Sequence, residues 1–412
     1  MKILIVCSWA LPHVGGVSTY VDQLRKGLER EGHDVDLFSP TPDGQSYYVH
    51  NQAFVLEKSK IAPIIAEKAN QYFNQHFPGL DSWIKDCEIE RYCLEIAAVC
   101  WGLNRYDVIH AQDSISAHAM ARVKSGKTAL ITSIHGCLAL EWFVNLKDLG
   151  IPEQDHASLL WHYCAGREHI GATSGDLTII PSNWLKSVLM KDFHVPEKHL
   201  IIVPYGMDEE PWIHPSTPPV DLNKPQDRKV ILCSARFDVV KGHEHFLRAL
   251  AILAAERSDW VCWLTGNGTL ANELKQLTTS LGLQDHVVFL GDRSDVRALL
   301  DMADLFVLPS LQDNQPFAVI EAQLAGKPII VSDAGGITEM VAHQLTGLVF
   351  QAANHVELYQ HLQYALDHPE FCRRLGYHAQ TWANKYWSLS AMTKRNLHVY
   401  HQAIQLRYLP QH

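Results

Sequence analysis

The sequence predicts an α/β protein of two doubly wound domains, and three observations carry that expectation. Short apolar runs alternate with helical patterns in two series, one opening at Ile3 and the other at Val230. The turns that leave those runs hold glycines: Gly15-Gly16, Gly266-Asn267-Gly268 and Gly335-Gly336. Between the two series lies a proline-rich stretch with Pro211, Pro215, Pro218, Pro219 and Pro225, the composition of a domain boundary. In sheets of this kind ligands bind where strands end and helices begin, so the glycine turns mark where to look for function.

The bulk numbers fit. A chain of 412 residues, 47% hydrophobic and 19% charged, can bury two cores. A formal charge of −10 argues against a general polyanion binder, so no nucleic-acid partner is expected, while leaving room for a local basic pocket around one small phosphate ligand. Nine cysteines without a C-x-x-C pair, several inside strand-like runs, read as reduced buried thiols of a cytoplasmic protein. The opening Met1-Lys2 and the apolar run 3–7 are too short for a signal peptide and read as a first buried strand. No run of 18 apolar residues occurs, so no transmembrane segment is expected.

Taken in order, residues 3–6 form a strand, 8–16 a loop, 17–31 an amphipathic helix closed by Gly32, and 35–38 a second strand. Gly15-Gly16 stands where a helix N-terminus favours an anion; a tight turn needing positive φ is the other reading. Residues 41–105 break the rhythm. They look helical over 58–73 and 81–103 and carry Tyr72, Phe73, Phe77, Trp83, Tyr92 and Trp101, so a helical insertion lining an acceptor site is expected. Its mixed charges leave room for no more than weak peripheral membrane contact.

The alternation resumes with a strand at 108–110, a helix at 114–123 and a strand at 129–134 that ends in His135-Gly136. Helical residues 153–171, a strand at 177–180, a helix capped by Ser182 and a strand at 201–203 lead to Pro204-Tyr205-Gly206-Met207-Asp208. The second series runs through strands at 230–235, 261–264, 287–290, 305–308 and 329–331, with helices between them and only helices after Val349. The stretch from Leu308 to Ile330 carries two carboxylates, Asp313 and Glu321, around a short helix that starts near Pro316 and closes at Gly326. Capping by Asp313 or Asn314, and simple solvation of Glu321, are the plainer readings. Asp34-Val35-Asp36 opens a strand with both carboxylates on one face and reads as structural. His243 and His245, two apart on a helix, point to different sides. No metal ligand set is expected.

At this point the glycine and charge positions resemble the family-four retaining glycosyltransferases of GT-B fold. Gly15-Gly16 matches that family's phosphate or acceptor loop, His135 its active-site histidine, and 203–208 its "P-N-G-V-D" segment. Arg236 and Lys241 match its "R-x4-K-G" diphosphate clamp, Gly266 and Gly268 its "G-x-G", and the turn at Gly291 its base-contacting turn. Glu321-Ala322 with Gly326-Lys327-Pro328 matches "E-A-x-A-x-G-x-P", and Gly335-Gly336-Ile337-Thr338-Glu339 matches "G-G-x-x-E". The resemblance covers nearly the whole chain outside 41–105.

The resemblance implies two Rossmann-like domains facing across a cleft: 1–207 on the acceptor side, 208–387 binding the nucleotide-sugar, and 388–412 packing back on the first. It implies His135, Arg236, Lys241 and Asp313 as catalytic residues. Gly15, Gly16, Gly266, Gly268, Gly291, Arg293, Asn314, Gln315, Phe317, Ala318, Val319 and Glu321 join Arg236 and Lys241 in donor binding. Glu321 would take the ribose hydroxyls and Asp313 the sugar. Eight residues of helix span roughly 12 Å at about 1.5 Å each, wider than the roughly 5 to 9.5 Å of a glycosidase carboxylate pair. A planar guanidinium and a mobile ammonium suit a leaving diphosphate without a metal or other cofactor.

The chain departs from the pattern in this stretch. It has Asp313 where the family usually has Glu, Gln315-Pro316 where it has F-G, and Gln323 where it has Met. The implied activity is transfer of a hexose or N-acetylhexosamine from a UDP- or GDP-sugar to an unidentified glycan, lipid-linked or small-molecule acceptor. The rivals are an epimerase or phosphorylase on the same fold, a two-domain solute-binding protein, and a dehydrogenase. No feature marks a pyridoxal-phosphate lysine, residues 1–10 do not read as an export signal, and neither first strand is followed by G-x-G-x-x-G.

Overall fold

The computed structural model of the protein describes residues 1–13, 15–141, 158–213 and 221–408. The start of the expected helix 153–171, and Pro215, Pro218 and Pro219, lie outside the described residues. The chain divides into two compact units, Met1–Pro204 with the segment from Met392 onward, and Tyr205–Ala391.

The first unit is built on β1 (Lys2–Val6), β2 (Asp34–Pro40), β3 (Ser46–Val49), β4 (Val55–Glu57), β5 (Val108–Ala111), β6 (Ala129–Ser133), β7 (Leu177–Ile180) and β8 (Leu200–Ile202), in the order β4-β3-β2-β1-β5-β6-β7-β8. From β2 to β8 the pairs are parallel, and Val6 sits beside both Phe38 and Ala111. Ile3, Leu4, Ile5 and Val6 are fully buried, as in a strand covered on both faces by helices. Those helices include α1 (Gly16–Arg30), α2 (Ala62–His76), α3 (Ser82–Trp101), α4 (Ser114–Val123), α5 (Leu159–Ser174) and α6 (Asn183–Lys191), whose N-cap Ser182 accepts from Leu185 N.

Residues 41–105 differ from the helical insertion that the sequence led us to expect. They open with β3 and β4, an antiparallel hairpin that extends the sheet past β2, before α2 and α3 follow. These strands have only four and three residues, too short for period-two alternation to stand out, although Tyr47 and Val49 point into the core.

The second unit holds β9 (Lys229–Ser234), β10 (Trp260–Thr265), β11 (Val287–Gly291), β12 (Leu305–Leu308), β13 (Ile329–Ser332) and β14 (Leu348–Phe350) in the order β11-β10-β9-β12-β13-β14, all parallel. Its helices include α7 (His243–Glu256), α8 (Ala271–Ser280), α9 (Val296–Met302), α10 (Phe317–Leu324), α11 (His355–Asp367) and α12 (Pro369–Tyr386). The last helix, α13 (Leu389–Tyr408), belongs to the first unit from Met392 onward, where Arg407 pairs with Asp176 at 2.6 Å.

Each sheet has one place where the chain reverses its direction of travel, between β1 and β5 and between β9 and β12. Strands there send their helices to opposite faces, which opens a crevice at their C-terminal ends. Among the described residues, no helix is long and apolar enough to cross a membrane. All nine cysteines are free thiols.

Candidate active site

In the second unit the reversal brings together the loop after β9, with Arg236 and Lys241, and the loop after β12, with Asp313. The first loop makes a single helical turn, Val239–Lys241, and passes through Gly242 (φ 66°) into α7. Leu311 N and Gln312 N donate to Val240 O at 2.8 and 3.2 Å, zipping the two loops together. A Cβ on Gly242 would stand 2.1 Å from Pro309 O, so only glycine allows that approach. The side chains then meet: Lys241 Nζ donates to Asp313 Oδ2 at 2.6 Å, both groups largely buried. Ser310 Oγ donates to the same oxygen at 3.0 Å, and Asn314 N to Oδ1 at 3.1 Å. Arg236 is half-exposed, with Asp238 at 3.1 Å.

Gly266 and Gly268 follow β10. A Cβ on Gly266 would lie 2.1 Å from Ala235 O, and one on Gly268 2.5 Å from Phe237 O. Phe237 N also donates to Asn267 O at 2.9 Å. The two glycines therefore seat the Arg236 loop against the end of the sheet, a task in backbone packing that their match to a ligand motif did not disclose. Gly291 (φ 66°) closes β11, and its carbonyl accepts from Gly266 N and Thr265 Oγ1 at 2.8 and 3.0 Å. Arg293 is held by Asp295 through two contacts (2.7 and 2.5 Å) and by Asp221 at 2.8 Å, hydrogen bonds that push its pKa further up.

Asn314 to Glu321 lead into and form α10, with Pro316 as its N-cap. Gly336 packs on Asn314, where a Cβ would come within 2.5 Å of Asn314 O, and Gly336 N donates to Asp313 O at 3.1 Å. The buried Gln315 accepts from Tyr205 N at 2.8 Å, and Phe317 stacks on Tyr205 with centroids 5.1 Å apart and planes within 8°. Both side chains are thus occupied in fixing the start of the unit. Ala318 is partly buried, whereas Val319 turns wholly into the core. Glu321 is partly buried, no described group pairs with its carboxylate, and burial lifts its pKa to about 7.

In the first unit, Gly15 is the N-cap of α1 and Gly16 its first residue. Gly15 is extended, so the left-handed turn weighed from sequence does not form there; a Cβ would instead crowd the His13 ring at 3.1 Å. The loop is anchored by Asp113, the N-cap of α4, which accepts from Ser8 N (2.8 Å), Ser8 Oγ (2.9 Å) and Ser116 N (2.7 Å). His135 follows β6. Its Nε2 lies 3.2 Å from Gln112 Oε1, Tyr20 packs edge-on at 4.7 Å, and burial lowers its pKa to about 3. Beneath it, His110 bonds Tyr400 Oη and Ser133 Oγ, each at 2.7 Å, and burial holds it down at about 3. Glu168 accepts from Ala139 N at 2.9 Å, and burial raises its pKa to about 7.

Gln112, Asp113, Tyr20 and Ser310 were not singled out, and Tyr205 was named only as part of the 203–208 segment. For the first two a signal was available in the Gln112-Asp113-Ser114 run, a polar strand exit before a capped helix. Asp36 is buried against Tyr106 Oη (2.6 Å) and Gln52 (3.0 Å), in keeping with a structural role. Among the described residues, no group of three or more His, Cys, Asp or Glu side chains converges as a metal site.

This geometry can be set against known proteins. The family model for Glycosyltransferase Family 4 matches residues 14–211, and that for Glycosyl transferases group 1 matches residues 218–382, so the two cover the two units in tandem. The chain belongs to the group 1 glycosyltransferases. It is an enzyme of that class and has the GT-B fold. The MMP alpha-(1->4)-mannosyltransferase of Mycolicibacterium hassiacum is 26% identical, over 98% of each chain. Among solved structures, sucrose-phosphate synthase from Thermosynechococcus elongatus superimposes with a TM-score of 0.73 at 18% identity, over 98% of this chain and 99% of that one. HepE of Anabaena in complex with UDP-glucose gives 0.65 at 17%, over 98% and 100%. As group 1 glycosyltransferases have a two-domain fold, the tandem match also accounts for the two separate sheets.

Proposed function

We propose that this glycosyltransferase is retaining and metal-independent, and that it moves a hexose or N-acetylhexosamine from a UDP- or GDP-sugar to an acceptor hydroxyl. The observation that carries the reading is the Lys241–Asp313 contact of 2.6 Å at the reversal of the second sheet. It puts an ammonium and a carboxylate side by side where a nucleotide-sugar would present its diphosphate and its sugar. The UDP-glucose held by HepE and the mannosyl transfer named for the Mycolicibacterium relative support that class of donor.

When the bond from the anomeric carbon to the diphosphate breaks, negative charge grows on the leaving oxygens and positive charge on the sugar. Lys241 and Arg236 offset the first, together with the N-terminus of α7. Glu321 takes the ribose hydroxyls. The acceptor oxygen attacks on the face the diphosphate leaves, and a leaving phosphate oxygen takes its proton, so no protein nucleophile is required. His135 meets a sugar hydroxyl. Nine reduced cysteines and an intracellular class of donor support a cytoplasmic setting.

The test is incubation with a panel of nucleotide-sugars in excess chelator. Nucleotide release is followed by mass spectrometry, and the product's anomeric configuration by NMR. Turnover with one UDP- or GDP-sugar and an unchanged configuration is expected. A strict need for Mg²⁺, or an inverted product, would remove the corresponding half of the reading.

A further inference from the structure

Trp9 stands in the loop that leaves β1, at the reversal of the first sheet. The main chain around it is pinned. Asp113 accepts from Ser8 N and Ser8 Oγ at 2.8 and 2.9 Å, Tyr48 Oη donates to Leu11 O at 2.6 Å, and His13 Nδ1 lies 2.9 Å from Ala10 O. Cys7 and Leu11, two places to either side, are sunk in the core, yet Trp9 is 40% exposed. A ring of that size forfeits a large burial gain by staying out, and a loop held at these points does not leave it out for want of order.

A single exposed aromatic is ordinary on a protein surface, so its setting decides. Six aromatic side chains are exposed among the described residues. Tyr72, Phe77, Tyr364, Tyr377 and Tyr386 each lie against a neighbouring ring, at centroid distances from 4.0 to 6.2 Å. Trp9 has no such partner among the described residues, and of the six it is the one at the strand exit of a sheet reversal, where ligands bind. The stretch from Ile3 to Leu24 holds neither lysine nor arginine, so this part of the chain brings no cation to draw an acid or a phosphate to the ring.

We propose that Trp9 is the platform on which the acceptor's sugar ring stacks, so that the acceptor is a neutral glycoside rather than a small acid or a phosphate. The inference rests on the reading of this chain as moving a sugar to an acceptor hydroxyl. One face of a hexopyranose presents several C–H bonds, whose partial positive charge meets the negative face of an indole. The hydroxyls at the edge of the sugar stay available to polar groups, of which the same loop supplies the exposed His13 imidazole. A rigid platform also loses little freedom when the sugar binds.

The experiment uses the full chain and, as probes, the methyl glycosides of glucose, galactose, mannose and N-acetylglucosamine, with malate and glycerol 3-phosphate as anionic controls. Saturation-transfer difference NMR, run with UDP and with GDP present, reads binding without turnover. At least one glycoside should take up saturation, most strongly at the C–H protons of one ring face. Trp9→Phe should keep most of the affinity, whereas Trp9→Leu, apolar but without an aromatic face, should weaken it by about tenfold or more, the size of one aromatic anchor. With the nucleotide-sugar that turns over, Trp9→Leu should raise the acceptor KM by a similar factor and the donor KM by less. Saturation of the anions alone, or of none of the probes, overturns the inference on the unaltered protein, whether or not a variant folds. Equal glycoside binding by Trp9→Leu and the original overturns it as well, even where the enzyme transfers sugar as proposed above. Glycoside binding that Trp9→Leu loses, in a protein that uses no UDP- or GDP-sugar, upholds the platform and rejects the donor reading.

Discussion

Lys241 Nζ and Asp313 Oδ2 stand 2.6 Å apart although 72 residues separate them in the chain. Each residue comes from a different strand exit, and each is tied down before they meet: Lys241 by the turn into Gly242, Asp313 by Ser310 and Asn314 N. On the proposed reading, a diphosphate arriving at Lys241 would meet an ammonium already shared with a carboxylate. Replacing Lys241 by Ala should weaken nucleoside diphosphate binding and lower kcat by about 10² to 10³, the range for one lost charge-stabilising donor. Asp313→Asn should keep diphosphate affinity within a few-fold, or improve it, and lose turnover instead. Calorimetry with UDP and GDP beside steady-state rates separates the two, and equal losses of affinity in both variants would show that the pair acts only as a structural bridge.

The Lys241–Asp313 pair depends on backbone contact as much as on charge. Gly242 and Gly336 each sit where a Cβ would meet a neighbouring main-chain oxygen, at 2.1 and 2.5 Å. Gly242→Ala adds the strain of a left-handed residue to that clash and should cost at least about 2 kcal/mol of stability. Gly336→Ala, with no left-handed strain recorded, should shift Asn314 and affect donor binding more than unfolding. Chemical denaturation curves with donor titrations on the same samples check both. A Gly242→Ala protein as stable as the original would mean that the two loops move apart freely.

Glu321 makes the site sensitive to pH in two opposite senses. Its pKa rises from an ordinary 4.5 to about 7 because the folded chain buries the carboxyl. An acid with a higher pKa in the folded state contributes stability while protonated. That contribution is complete below about pH 4.5 and is lost as pH climbs through 7. Relative to Glu321→Gln, the original protein should therefore weaken between pH 5 and pH 8 by on the order of 2 kcal/mol. Donor affinity should run the other way, because ribose hydroxyls donate to the ionised form: binding weakens as pH falls through about 7. In Glu321→Gln that slope should vanish, and its persistence would assign the titration to another group.

Much of this was legible because parallel sheets write themselves plainly. Strands buried on both faces are continuous apolar runs, so β1, β9 and β12 stood out; Gly15-Gly16 followed the first of them at a reversal point, whereas Gly266, Gly268 and Gly335-Gly336 follow β10 and β13. Arg236, Lys241, Asp313 and Glu321 were named through the motifs they share with the family, and the structure places them in the loops after β9 and β12 and on α10. What stayed hidden depends on distance in the fold. That Gly266 and Gly268 face the main chain of 235–237 requires knowing which loop lies beside β10. The pairing of Lys241 with Asp313, and of Gln315 with Tyr205 N across 110 residues, has no local signature. The β3–β4 hairpin was missed for want of length, and its one local cue, the left-handed Asn51 (φ 59°), is weak in a single sequence.

Gln323 shows what a departure from the family pattern can require. It lies on α10 with no exposed surface, donates through Nε2 to Met340 O at 2.9 Å and accepts through Oε1 from Trp387 Nε1 at 2.7 Å. Methionine, the residue that the resemblance led us to expect here, would fill nearly the same volume but satisfy neither group. The buried indole N–H and the carbonyl would each lose their partner, at about 1 to 3 kcal/mol apiece. Gln323→Met should then destabilise the second unit by roughly 2 to 4 kcal/mol. Adding Trp387→Phe should recover part of that loss, since it deletes the orphaned donor, whereas Trp387→Phe alone leaves Gln323 Oε1 unsatisfied and should itself be destabilising. The four proteins form a double-mutant cycle read by urea unfolding, with a coupling of at least about 1 kcal/mol expected. A Gln323→Met protein within about 0.5 kcal/mol of the original would mean that Trp387 and Met340 find other partners.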